Sequence, residues 1–475
     1  MSGMTQPPPI APTAPPHPSF GEATRVWLKI GLLSFGGPAG QIALMHRMLV
    51  EERHWISESR FLHALSYCTL IPGPEAQQLA IYVGWLLHRA RGGIVAGVLF
   101  VLPGFFVILG LSVAYALFHD THWLGSIFFG LKSAVLAIVI EAVIRVGKRA
   151  LKNRVMIALA ALAFVALFAF NVPFPAVVLA AGLIGYFGSK QRPDIFVLGG
   201  RKATSGVPDL PAVIDAGFPQ VPPSWSRSFK VAGFCGALWI APLLVIVPIF
   251  GWSSTYATIV AFFSEMAVVT FGGAYAVLAY VAQEAVQHFG WLQPGEMLDG
   301  LALAETTPGP LIMVLTYVGF LAAFRHSGGI DPLFAGVIGA TLTTWVTFVP
   351  CFLWIFLGAP YVEQLRDNKA LSGALSAITA AVVGVILNLA VWFGLHALFG
   401  TVQTMRLGPI SMAVPIWPSL DLLALALSAF AAYGLFYMEL GIVKTLALCA
   451  FLGFIVRTVN DDFWLVPLRT LGIVH

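Results

Sequence analysis

The sequence predicts an all-α polytopic membrane protein made of two homologous six-segment repeats, the second inverted in the membrane relative to the first, with one linking span between them. Three observations predict it: a composition too apolar for water, apolar segments of spanning length along the whole chain, and one motif pattern written twice. Of the 475 residues, 58% are hydrophobic and 10% charged, and the mean hydropathy is +0.86. A soluble chain carries about 25% charged residues, and no soluble fold of this length could bury so much apolar surface. Soluble enzymes and disordered chains are excluded. The net charge of +4 is small and dispersed, so nucleic acid is not an expected partner.

In chain order, residues 1–20 hold seven prolines and no Lys or Arg. They lack the basic start of a signal peptide and read as a disordered, polyproline-prone tail. The first repeat is placed at 21–188, with apolar segments near 22–50, 57–88, 93–118, 124–147, 154–171 and 173–188. A span needs about 20 apolar residues, or about 17 at the short end. A stretch at 189–229 rich in Pro, Gly and charge is the linker. A linking span at 230–252 follows. The second repeat, at 253–460, has segments near 254–287, 295–324, 332–358, 370–398, 419–437 and 440–457, and residues 461–475 form a tail. Cys68, Cys235, Cys351 and Cys449 show no metal-ligand or redox spacing and read as packing residues.

The duplication is explicit. Phe35-Gly36-Gly37 precedes Pro72-Gly73-Pro74, and Phe271-Gly272-Gly273 precedes Pro308-Gly309-Pro310, at a constant offset of 236. Without a gap, the stretches starting at Ser34 and Thr270 share 11 identities over this region, including Trp55/Trp291 and Leu65/Leu301. Further on, Gly130, Ser133, Ala134, Ala137 and Val139 match Gly373, Ser376, Ala377, Ala380 and Val382.

Positive charge orients the chain. Arg145, Lys148, Arg149, Lys152 and Arg154 crowd one loop, which belongs in the cytoplasm together with the basic linker two spans later. The N-terminus then lies inside, and the odd span at 230–252 turns the second repeat over.

Glycines and prolines inside apolar segments release backbone groups that need a partner in hydrocarbon. A proline is tolerated where a helix resumes, because its missing N–H had no intrahelical partner. Each break therefore predicts a half-helix whose N-terminus, with free N–H groups and a positive dipole end, can hold an anion. Discontinuous helices of this kind carry substrate in secondary transporters. Membrane helices also use Gly and Pro for kinks and close packing, but four breaks in two matched pairs favour the transporter reading.

The candidate anion-binding residues are Ser34, Gly36, Gly37, Gln41, Gly73, Gln77 and Gln78 in the first repeat, and Thr270, Gly272, Gly273, Thr307 and Gly309 in the second. Their hydroxyl, amide and backbone groups are hydrogen-bond donors for oxyanion oxygens. Ionisable residues within spans default to function. Lys132 and Arg145, which align with Leu375 and Asn388, are candidate cations, and Glu75, Glu265 and Glu305 are candidate proton-coupling carboxylates. Between positions 20 and 187 there are 13 Lys/Arg against 7 Asp/Glu, and between 231 and 460 there are 6 against 10. The first repeat would thus supply cationic groups and the second carboxylates. The histidines sit near segment ends, no metal or nucleophile motif is present, and neither metal nor cofactor is expected.

The string from Ser34 to His46, the run Leu70-Ile-Pro-Gly-Pro-Glu-Ala-Gln-Gln-Leu-Ala80 and Gly84-Trp-Leu-Leu87 resemble the chromate ion transporter family. Thr270-Phe-Gly-Gly, Leu298-Asp-Gly-Leu-Ala-Leu-Ala304 and Thr307-Pro-Gly-Pro310 are similar to that family's C-terminal domain in its long, two-domain members. The resemblance covers nearly all of the chain outside tail and linker. It implies a chromate efflux transporter of the cell inner membrane, driven by the proton gradient and conferring chromate resistance, with halves of opposite orientation.

The expected partners are chromate or sulfate as substrate, protons as coupling ion and the lipid bilayer, with a homodimer as one admissible assembly. Sulfate or oxyanion uptake and an anion channel are the alternatives. An intramembrane enzyme would need a nucleophile–base or metal constellation that the sequence lacks.

Overall fold

The computed structural model describes residues 15–35, 37–119, 121–196, 212–214, 224–271, 274–293, 295–361, 369–408 and 410–470. Gly36, Gly272 and Gly273, residues 1–14 and 471–475, and most of the linker lie outside them. The first half opens with α1 (Phe20–Leu33), capped by the Ser19 hydroxyl, which accepts from the Glu22 N–H. The chain leaves the helix at Ser34 and resumes as α2 (Gly37–His46), with Gly37 at φ +69°. A π-helical turn, Arg47–Glu51, and α3 (Glu58–Cys68) follow. Pro72, Gly73 and Pro74 separate α3 from α4 (Glu75–Phe118). The prolines lack an N–H, and Gly73 adopts φ +119°, which only glycine tolerates readily.

α4 doubles back at His88 and Arg89, whose φ values are −133° and +55°. Residues eight apart in a straight helix lie about 12 Å apart, yet a Cβ on Gly84 would sit 2.6 Å from the Gly92 carbonyl oxygen. Segments 75–87 and 90–118 are therefore an antiparallel pair whose glycines let the backbones touch. α5 (His122–Ala150), α6 (Arg154–Phe170) and α7 (Phe174–Gln191) complete the half. A short turn, α8 (Pro193–Phe196), and α9 (Trp225–Phe250), which covers the stretch expected as the linking span, follow.

The second half runs through α10 (Thr255–Val269), α11 (Ala274–Gln283), a π-helical turn Glu284–His288 and α12 (Glu296–Thr306). Gly309, at φ +101°, leads into α13 (Val314–Arg325). α14 (Pro332–Gly358) packs back on α13 through Gly319 and Gly339, as the paired segments of α4 do. α15 (Lys369–Leu398), the antiparallel hairpin β1 (Val402–Leu407) and β2 (Ile410–Pro415), α16 (Leu422–Phe436) and α17 (Ile442–Thr470) close the chain.

The two halves exchange partners. α5 packs against α16 and α17, and α15 packs against α6 and α7. Glycines set both contacts: Gly130 on α5 meets the backbone of Cys449 and Ala450 on α17, and its match Gly373 on α15 meets Gly185 and Ser189 on α7. Among the described residues, α4, α5, α9, α14 and α15 are each long and apolar enough to cross a membrane. The chain is a multi-pass membrane protein.

Three features depart from the sequence expectations. Residues 15–19, assigned to the disordered tail, lie against the turn of α4: the His17 ring meets the Leu87 carbonyl at 3.0 Å, and the His88 ring meets that of Pro18 at 3.1 Å. α17 runs on to Thr470, through part of the stretch assigned to the C-terminal tail, because extending a formed helix needs only one bond per residue. The β-hairpin was not anticipated. Its signal was two six-residue runs flanking Gly408-Pro409, a turn pair between strand-length segments.

A Cβ at Gly130 would overlap the Cys449 carbonyl, so α5 and α17 would have to separate. Overpacking of this kind costs about 1–3 kcal/mol. Gly130→Ala is expected to lower the thermal unfolding temperature in detergent. Gly110→Ala, where the added methyl meets open space, is expected to leave it unchanged.

Candidate functional site

The two Pro-Gly-Pro turns meet the opposite half. The Gly73 N–H donates to the Thr270 carbonyl at 2.8 Å, and the Gly309 N–H donates to the Ser34 carbonyl, also at 2.8 Å. Ser34 and Thr270 are matched positions, and so are Gly73 and Gly309, so the same bond is made twice in reciprocal directions. The long helices that cover the turns are exchanged as well. Gly104, after Pro103 in α4, lies on Pro308 and Gly309, and Cys351, after Pro350 in α14, lies on Gly73. Gly104 has no side chain because the Pro308 carbonyl already occupies the place of its Cβ.

Three buried amide side chains lie on the segments that flank this junction, all in the first half. Gln41 donates to the Gly309 carbonyl at 2.5 Å, which carries the contact across to the second half. Gln78 donates to the Pro72 carbonyl at 2.6 Å, bracing its own turn. Gln77 is fully buried, and neither its amide nitrogen nor its oxygen has a hydrogen-bond partner among the described residues. The oxygens of Gln41 and Gln78 are also buried without a partner among the described residues. Their matched positions in the second half are Val277, Met313 and Val314.

The hydroxyls are differently disposed. Ser34 donates to the Ile30 carbonyl, Thr270 to that of Met266 and Thr307 to that of Ala304. Thr69 and Thr306 likewise donate to carbonyls three residues back. A hydroxyl in an apolar helix bonds its own backbone because no water competes. These protons reach another acceptor only by breaking an existing bond, so the amide of Gln77 is the donor that stands ready.

Charge gathers on α12, all of whose residues from Glu296 to Glu305 are buried. Glu305 accepts from the Tyr275 hydroxyl at 2.6 Å through Oε1, while Oε2 has no partner among the described residues. Arg145 and Glu141 on α5 lie within electrostatic reach of it, and they face each other at 3.8 Å. Lys132, earlier on α5, is held by Asp299 at 3.2 Å. The same Asp299 oxygen accepts from the Tyr115 hydroxyl of α4 at 2.9 Å. At the start of α12, Glu296 grips the Arg325 guanidinium with both oxygens, at 2.6 and 2.7 Å.

Sequence reasoning singled out Lys132 but not its partner Asp299, nor the Glu296–Arg325 pair. An aspartate between Leu298 and Gly300 in an apolar run was the available signal. Lys132 stands with Asp299 and not at the Pro-Gly-Pro junction. Glu75 begins α4, half-buried, within reach of the Arg149 charge. Glu265 is exposed on α10, in the field of Glu284, and is not brought to the junction. Gly36, Gly272 and Gly273 lie outside the described residues.

Comparison with known proteins agrees with this organisation. The chromate transporter family model matches residues 21–186 and 257–454, one block in each half. The chromate transport protein of Pseudomonas aeruginosa is 33% identical over 377 residues, covering 78% of this chain and 80% of that protein. The chromate transport protein of Cupriavidus metallidurans is 28% identical over 375 residues, covering 79% and 82%. No solved structure matches the chain. The two family blocks and these relatives, each spanning most of both chains, establish that this chain belongs to the chromate transporter family.

Proposed function

We propose that the chain is a secondary active transporter that exports chromate across the inner membrane in exchange for protons, and so confers chromate resistance. The observation that carries this reading is the buried Gln77 amide, unpartnered beside the turn where the halves exchange backbone hydrogen bonds. A buried amide without a partner is costly, and a tetrahedral oxyanion offers it acceptor oxygens. Gln41 keeps a second N–H, whereas that of Gln78 meets the weak acceptor Sγ of Cys351. The start of α4, where Pro74 supplies no side-chain cap, adds backbone N–H groups and the positive end of a helix dipole. Neutral donors hold an anion without the tight pairing of a lysine, which suits a site that must also release it.

Glu305 is the proposed proton carrier. Its free Oε2 can take a proton while Oε1 keeps the Tyr275 bond. A carboxylate there and a dianion at the neighbouring junction repel in a medium of low dielectric, so the charge state of one is felt by the other. The reciprocal contacts of the halves support a pseudo-two-fold relation with inverted orientation. The halves also differ in exposure. Ser59, Leu62 and Ser66 on α3 and Thr69 just after it form an exposed face, whereas the matched Gly295, Leu298, Ala302 and Glu305 are half-buried or buried. That difference supports alternating access, with the first turn open to one side and the second closed.

Uptake of labelled chromate into inverted vesicles tests the reading, with a pH gradient imposed and then collapsed and sulfate as competitor. Collapse is expected to stop accumulation; accumulation that persists removes proton coupling. Gln77→Ala is expected to raise the KM for chromate about 10-fold or more, the worth of a hydrogen bond to a charged group. Ser34→Ala, whose hydroxyl is committed to Ile30, is expected to change it less than about twofold. Glu305→Gln keeps an acceptor for Tyr275 and is expected to fold normally while losing the pH dependence of transport, measured as the rate at two external pH values.

A further inference from the structure

The linker contributes a buried piece to the first half. Ala212, Val213 and Ile214 are only 1–4% exposed. The Val213 N–H donates to the His54 carbonyl at 3.1 Å and the Ile214 N–H to the Trp55 carbonyl at 3.1 Å. Arg60, in the first turn of α3, donates back to the Ile214 carbonyl at 2.8 Å. Val213 and Ile214 pack into the same apolar cluster as Trp55, Ile56, Phe61 and Ala64.

The second half shows what this seat is. Trp291 and Glu296 occupy the matched positions to Trp55 and Arg60. There the Trp291 carbonyl accepts from the Arg325 guanidinium at 2.8 Å, and Glu296 clamps the same guanidinium. In the first half the Glu is replaced by Arg60, which repels a guanidinium and needs an acceptor instead. The backbone of Ile214 meets both requirements, giving an N–H to the tryptophan carbonyl and a carbonyl to the arginine. The linker segment thus fills the seat that Arg325 fills in the second half.

We propose that Ala212-Val213-Ile214 and Arg60 are positioning residues for transport, a strap that fixes the start of α3 and, through it, the first Pro-Gly-Pro turn. α3 has 11 residues and ends at Cys68, four residues before Pro72. So short a helix moves as a rigid rod, and a shift at Arg60 reaches the Gly73–Thr270 bond and Gln77. In the second half the equivalent rod, α12, is fixed by the permanent Glu296–Arg325 pair. In the first half it is fixed by a peptide from the linker. This inference rests on the transport reading above for its functional arm only.

The test uses the full chain in two arms. In hydrogen-exchange mass spectrometry of the wild type, the Val213 and Ile214 amides are expected to be protected. Arg60→Ala is expected to speed their exchange about fivefold, the worth of one hydrogen bond, and Arg60→Lys to restore protection. In vesicles, Arg60→Ala is expected to raise the KM for chromate about fivefold with Vmax unchanged, as loss of binding geometry alone would, and Arg60→Lys to restore it. Should Arg60→Ala not fold, Ile214→Ala, which keeps the backbone bonds to Trp55 and Arg60 but withdraws the side chain from the Trp55 cluster, must produce the same two changes. Unprotected amides in the wild type overturn the proposal. So does a variant that frees the amides yet leaves KM unchanged, or one that lowers Vmax alone. A wild type that moves no chromate would instead overturn the transport reading, while the exchange arm still decides whether the strap is docked by Arg60.

Discussion

A backbone N–H freed where a helix breaks has no water to turn to inside a bilayer, and leaving it unpaired costs several kcal/mol. In this chain the N–H groups of Gly73 and Gly309 are freed in this way, and each finds its acceptor in the other half, at Thr270 and Ser34. Much of the architecture follows from that exchange. The turns must lie at the interface of the halves, the long helices must cross over them, and the residues covering them must be small. Gly104 and Cys351, each after a helix proline, meet that last demand.

On this common frame the two halves have taken different side chains. The first carries Gln41, Gln77 and Gln78 where the second carries Val277, Met313 and Val314. The second carries Glu305 and Tyr275 where the first carries Thr69 and Ala39. One turn is furnished with donors and the other with a carboxylate held by a tyrosine. Arg60 and Glu296 repeat the division at the starts of α3 and α12, each choosing a partner of the chemistry it needs. The two halves thus set a cluster of buried amides beside one turn and a buried carboxylate before the other.

Helix contacts elsewhere rely on glycine. Gly84 with Gly92, Gly319 with Gly339, and Gly130 and Gly373 with the last helices of the opposite halves bring backbones into contact. In lipid, helices gain nothing from hiding apolar surface from one another, so close packing is a main source of association. The sequence displayed these glycines but not their partners, because Gly130 and Cys449 lie far apart in the chain. The split of 57–88 into α3 and a short helix was legible from Pro72-Gly73-Pro74. The reversal at His88 and Arg89 falls between the segments read at 57–88 and 93–118; what the sequence did not show is that Gly84 meets Gly92 across it.

By itself the sequence determined that the chain lives in a membrane, that it is one unit written twice, where its helices break, and which family pattern those breaks carry. Each of these depends on composition, spacing or local backbone chemistry, which are properties of short stretches. Tertiary structure alone decided which hydroxyls had already given their protons to a carbonyl, that Gln77 had not, and that Lys132 belongs to Asp299. It alone docked the linker at Arg60. Those outcomes rest on which groups from distant parts of the chain compete for one acceptor inside a medium without water, and no local pattern contains that information.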